Sequence, residues 1–289
     1  MTKLLFGCGY LGMRVAERWR ALGQRVVVVT RSPQRAEELR ALGFEPIVAD
    51  VTQAATLVGL PTAETVLFAV GFDRTAGQSM QSVFADGMRN VLAALPAHAG
   101  RLIYISSTGV YGNAGGDWID EDTRPDPQRE GGRASLAAER ALTAHPLGRN
   151  AVILRLAGVY GPGRIPFRSL MRGGDPIPAE SQGWLNLIHV ADAASVVLAA
   201  EDMELAGRVE RPRLYCVSDG HPVQRRDYYC EVARRIDAPA PTFVPPLPET
   251  PRSERATSDR RVKNARMLAE LQVKLVFPDY RSGLAAILG

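Results

Sequence analysis

The sequence predicts an α/β chain: a doubly wound parallel sheet with a smaller C-terminal lobe. Three observations carry this. Short apolar or β-branched runs alternate with helical segments at a period of roughly 20 to 25 residues, the pattern of strands joined by crossover helices. The first run ends in Gly7-Cys8-Gly9-Tyr10-Leu11-Gly12, which leads straight into a helical pattern. From Gly161 onward glycine and proline thicken, and long regular segments give way to short ones.

Each element follows in order. Lys3 to Phe6 is a short apolar strand, and the spacing of Met13, Val15, Ala16, Trp19 and Leu22 predicts a helix closed by Gly23. Arg25 to Thr30 is too β-branched and too short to be anything but a buried strand. A charged helix is expected over 34–42, and strands over 46–49, 65–70, 101–106 and 151–156. Helices are expected over 80–95, 134–143 and 191–200, and a last strand over 214–217. Arg164, Arg168 and Arg172 recur every fourth residue, which on a helix would place three cations on one face. Six prolines between 239 and 251 mark a connector. The division expected is a nucleotide-binding domain over 1–162, with 186–205 packing back on it, and a substrate lobe over 163–289.

Composition narrows the function. The chain has 289 residues, 46% of them hydrophobic and 23% charged, enough apolar material for a sizeable core. No apolar run approaches the length of a spanning helix, so no membrane partner is expected. Leu4 to Phe6 is broken at once by Gly7 and Gly9, unlike a secretory leader. Three cysteines with no CxxC pair suit reduced thiols in the cytoplasm, and with only four histidines no metal site is expected. The formal charge of +4 is too dilute for nucleic acid and suits an anionic small molecule.

The GxGxxG, following a strand and opening a helix, is the context in which that motif binds a dinucleotide. Gly7 permits the tight turn, Gly9 lets the backbone approach a pyrophosphate, and Gly12 allows helix and strand to pack closely. Tyr10 and Leu11 lie in the helix's first turn, whose N–H groups and dipole face the anion. The second strand selects between dinucleotides. An acid roughly 20 residues past the glycines would hold a ribose 2′-hydroxyl. Thr30-Arg31-Ser32 stands there, with Arg35 one turn on, so NADP(H) is expected over NAD(H). Asp50 and Val51 after the third strand are expected beside the adenine, and Ala69 and Val70 at the end of the fourth line the same edge. Cys8 sits where a helix N-terminus lowers a thiol pKa, although a small side chain in a crowded loop is the simpler reading.

Further motifs carry a resemblance: Tyr104-Ile-Ser-Ser-Thr-Gly-Val-Tyr-Gly112, Leu154-Arg-Leu-Ala-Gly-Val-Tyr-Gly-Pro-Gly-Arg164 and Asn186-Leu-Ile-His-Val-Ala-Asp192. With the glycine loop, these resemble the extended or atypical short-chain dehydrogenase/reductases of the NAD-dependent epimerase/dehydratase kind. The resemblance covers roughly residues 3–220 and implies a Rossmann-type domain with a C-terminal substrate lobe. It implies that Ser107 orients the substrate oxygen, that Asn186 and Arg164 face the substrate, and that His189 and Asp192 hold the lobe in place. The helices over 80–95 and 134–143 commonly build dimers in that family, so a homodimer is one expectation.

The family's Tyr-x-x-x-Lys pair is absent, because the only lysines are Lys3, Lys263 and Lys274. Aligned on Ala137-Ala138-Glu139, the tyrosine position falls on Gly131 and the lysine position on Ser135; the family's Asn falls near Val83, with Asp86 the closest polar residue. Hydride transfer to a carbonyl needs a proton moved in concert, and a free tyrosine with pKa near 10 serves once that value is lowered. Candidate substitutes are Tyr111, Tyr160 or a water held by Ser107. Two functions follow. One is an oxidoreductase or epimerase/dehydratase acting on a sugar nucleotide or related polar metabolite with a non-standard donor. The other is an NADP(H)-binding sensor or scaffold with no catalysis.

Overall fold

The computed structural model describes residues 1–203, 211–245 and 258–289. The main sheet contains β1 (Thr2–Phe6), β2 (Arg25–Thr30), β3 (Glu45–Val48), β4 (Thr65–Phe68), β5 (Arg101–Ser107), β6 (Val152–Leu156) and β7 (Arg213–Val217). Its order is β7-β6-β5-β4-β1-β2-β3. The pairs β1–β2, β1–β4, β2–β3 and β4–β5 are parallel. The strand order reverses between β1 and β4, and such a reversal opens a crevice at the carboxyl ends of the two strands.

The chain divides into two compact units. The first comprises Met1–Val110, Glu130–Arg155 and Ala194–Tyr215. Its strands are apolar on both faces, as β4 shows with four buried residues of four, so helices must cover both sides. Those helices are α1 (Tyr10–Ala21), α2 (Pro33–Ala41), α3 (Gly87–Ala94) and α4 (Glu130–Ala144). Leu4, Phe6, Val66, Phe68 and Tyr104 join Met88, Val91, Ala138 and Leu142 in one core. The helix expected over 80–95 is divided: Gln81–Asp86 is wound as a π-helix before α3 begins. Such wide turns place one extra residue in a helix and recur at functional sites.

The second unit comprises Tyr111–Arg129, Leu156–Ala193 and Cys216–Gly289. It is held by short two-stranded pairings, among them Leu187–His189 with Gly158–Tyr160 and Arg261–Val262 with Trp118–Ile119. Tyr160, Met171, Ile177, Tyr228, Val232, Tyr280 and Leu284 form its core. The expected face of three arginines is not built. The helix starts only at Arg168 and ends at Gly173, after Pro166 and a left-handed Phe167, so Arg164 stays outside it. A basic segment over 252–266 (Arg252, Arg255, Arg260, Arg261, Lys263 and Arg266) follows the proline-rich connector, and residues 246–257 of the two lie outside the described residues.

Candidate functional site

The cleft at the switch point grows directly from the glycine loop. Gly7 has φ +93°, and a β-carbon there would collide with the Ala69 carbonyl at the end of β4. A β-carbon on Gly12 would fall on the Gly7 carbonyl. These two glycines are thus required by the chain's own packing. Gly9 is different: a β-carbon there would meet nothing within 4 Å. Gly9 also caps α1 without any side-chain acceptor, and the first turn carries no acidic residue. Its N–H groups and positive end are open to an anion, the environment a pyrophosphate requires.

A cleft of about 170 Å³ runs from this loop, lined by Gly7, Cys8, Thr30, Arg31, Arg35, Val51 and Val70 among others. Arg35 reaches it because Ser32 caps α2, its Oγ accepting from the Arg35 N–H at 3.2 Å with Pro33 at the first helical position. Of the residues the sequence marked for the cofactor, Gly7, Arg31, Arg35, Val51 and Val70 line the cleft. Leu11, in the first turn of α1, is buried, and Tyr10 lies under the Arg14 guanidinium, which stands 4.1 Å from its ring centroid. Asp50 turns into its own loop, its Oδ1 accepting from Thr52 N and Oγ1, both at 2.8 Å. The Cys8 thiol is pushed up to about 11 by burial, so the helix terminus does not activate it. Sequence reasoning passed over Thr30 as a lining residue, although it follows four buried valines on β2.

Ser107 ends β5 half-buried, and its Oγ accepts from the Gly109 N–H at 3.0 Å. Accepting that bond leaves the hydroxyl proton free to donate. Behind it, Ser106 donates to Glu139 Oε1 at 2.6 Å, and Arg155 clamps both Glu139 oxygens at 2.9 and 2.6 Å. At the position the resemblance gives to the lysine, Ser135 is buried and hydrogen-bonds the Tyr104 phenol, as does Ser106. Burial raises the Tyr104 pKa, and the Glu139 charge adds to it. At the tyrosine position, a β-carbon on Gly131 would meet only the Met80 sulfur. Near the expected Asn, Val83 is buried and Asp86 pairs with Arg89 on the surface.

In the second unit, Tyr111 is 3% exposed and its hydroxyl lies 3.2 Å from the Cys216 sulfur. Tyr160 is buried edge-on against His189, and desolvation raises its pKa. The Asn186 amide is spent on the chain itself, donating to the Arg260 carbonyl at 2.8 Å and accepting from Val262 N–H at 2.7 Å. Asp192 likewise accepts from Val276 and Phe277 N–H, both at 2.9 Å. The described part of the basic segment is tied down too. Arg261 stacks between Trp118 and Trp184, and Arg266 pairs with Asp122 at 2.6 Å. Arg164 is exposed beside the Gly161 turn. No helix among the described residues is long and apolar enough to cross a membrane.

Comparison with known proteins agrees with this fold. A conserved protein of unknown function from Silicibacter pomeroyi is 30% identical in sequence, with a TM-score of 0.77 over 99% of this chain and 97% of that one. The protein YeeZ of Escherichia coli K12 is 28% identical over 244 residues, 83% of this chain and 85% of the relative. The UDP-glucose 4-epimerase of Thermotoga maritima, solved with UDP-glucose, shares the fold at a TM-score of 0.81 and 17% identity, over 100% of this chain and 97% of that one. The model of the NAD dependent epimerase/dehydratase family matches residues 4–211, and the chain belongs to that family.

Proposed function

We propose that the chain is an NADP(H)-dependent oxidoreductase acting on a sugar nucleotide or related anionic metabolite, with a proton donor other than the family's Tyr-Lys pair. One observation carries the cofactor reading: the cleft from Gly7 opens onto Arg31 and Arg35, and no carboxylate is present on β2 or in the Arg31-Ser32 turn that follows it. A 2′-phosphate would find two guanidinium groups there, which suit it better than a hydroxyl. The bound dinucleotide supplies a ring that gives or takes hydride. The chain's own part is to anchor the pyrophosphate on α1 and to present the Ser107 hydroxyl to the substrate oxygen. Tyr111 is engaged with Cys216 and Tyr160 is raised by burial. A water held by Ser107 is therefore the donor we favour.

The test is single-turnover hydride transfer in both directions: reduction of NADP+ by UDP-glucose or UDP-glucuronic acid, whose ring carbinols give hydride, and oxidation of NADPH by small ketones, which accept it. With an active substrate, Ser107→Ala slows the reaction about 10²-fold, the lower end of what a positioned proton-transfer group contributes. Tyr111→Phe leaves it within about threefold. No hydride transfer in either direction would leave cofactor binding without catalysis.

A further inference from the structure

We propose that Asp73 sets the balance between the two dinucleotides by competing for Arg31. This rests on reading Arg31 as the partner of a ribose 2′-phosphate. The Asp73 carboxylate comes from the segment after β4, not from the end of β2. Its Oδ2 accepts from Arg31 Nη2 at 3.1 Å, while its Oδ1 accepts from Thr75 N at 2.9 Å and Thr75 Oγ1 at 2.7 Å. The Thr75 bonds, followed by Arg31, hold the carboxyl below its ordinary pKa, so it stays charged at neutral pH.

A second tie comes from the same segment. Gln78 Oε1 accepts from Arg31 Nη1 at 3.3 Å, and Gln78 Nε2 donates to Thr52 Oγ1 at 2.8 Å. Residues 71–78 thus start at the cleft wall, where Gly71 lines it, and reach across to the ends of β2 and β3. Both terminal nitrogens of Arg31 are already engaged, one by a carboxylate and one by an amide oxygen. A 2′-phosphate needs the same donors and would bring its negative charge up to Asp73. A ribose 2′-hydroxyl has no such conflict and can donate to that carboxylate. Asp73 therefore supplies, from the segment after β4, the acid that β2 lacks, and it lowers a preference that Arg31 and Arg35 would otherwise make steep. Both partners of the pair are more than 40% exposed, so the bond itself is weak and exchangeable; the charge is what persists.

The experiment is fluorescence titration of the whole chain with NADPH and with NADH, for wild type, Asp73→Asn and Arg31→Ala. Asp73→Asn is expected to tighten NADPH about three- to tenfold while NADH, which loses an acceptor for its 2′-hydroxyl, binds equally well or more weakly, and added salt is expected to shrink the gain. An NADPH-to-NADH ratio unchanged in Asp73→Asn overturns the proposal. Arg31→Ala tests the underlying reading separately: the ratio should collapse. If it collapses while Asp73→Asn changes nothing, only the role of Asp73 fails. If Arg31→Ala leaves the ratio as it was, Arg31 is not the 2′-phosphate partner and both fail.

Discussion

The sulfur of Met80 lies 3.0 Å from where a β-carbon would stand on Gly131, and nothing else comes within 4 Å of that point. A β-carbon there would displace only a flexible thioether. Ser135, one helical turn on, is the opposite case: it is 6% exposed and bonded to the Tyr104 phenol. Gly131→Tyr should therefore fold with its urea midpoint little changed. Ser135→Lys should lose about 3 kcal/mol or more, because a buried ammonium would have no carboxylate partner free to receive it. Urea unfolding of the two variants checks this.

Glu139 and Arg155 form a buried pair with side chains 6% and 5% exposed. Removing one charge strands the other. Glu139→Gln should cost about 3 to 5 kcal/mol, whereas replacing both by apolar residues of similar volume should cost far less. A double-mutant cycle in urea separates these outcomes.

Asp219 gives the protein a pH dependence of calculable sign. Its Oδ1 accepts from His221 N–H at 2.9 Å, while its Oδ2 is buried without a partner. Burial, with the nearby Asp279 and Asp192 charges, raises its pKa to about 8 from an ordinary 3.8. The folded state thus keeps a proton that the unfolded chain gives up near pH 4. Asp219's contribution to stability is full below that pH, declines as pH rises to 8, and is flat beyond. Asp219→Asn should flatten the change in urea midpoint between pH 5 and 8.

The thiols should react in sequence. Cys230 is exposed, Cys216 is buried, and burial pushes the Cys8 thiol up to about 11. At pH 8 a chromogenic disulfide should label one thiol rapidly in the native protein and all three after denaturation. Cys230→Ser should abolish the rapid phase.

The nucleotide-binding sheet was legible because its signals are local. Val26 to Val29 can only be a buried strand, and Gly12 is fixed by contact with Gly7 within their own βα turn. What the sequence left open depends on groups far apart in the chain. Asn186 reads as a substrate residue until Arg260 and Val262, more than 70 positions on, are seen to use its amide. The Asp73 carboxylate beside Arg31 comes from 42 residues away, and no periodicity announces such a pair. The π-helix at 81–86 escaped for another reason, since Met88, Val91, Leu92 and Leu95 fit an ordinary helical spacing and carry that expectation back over the preceding turns.

A crystal structure with NADPH bound tests the central claim most directly. The pyrophosphate should lie over the N–H groups at the start of α1, and the 2′-phosphate should stand within about 3 Å of the Arg31 guanidinium. The nicotinamide should be ordered beside Ser107. A 2′-phosphate turned away from Arg31 and Arg35, or a nicotinamide disordered or walled off from the Ser107 hydroxyl, would contradict it.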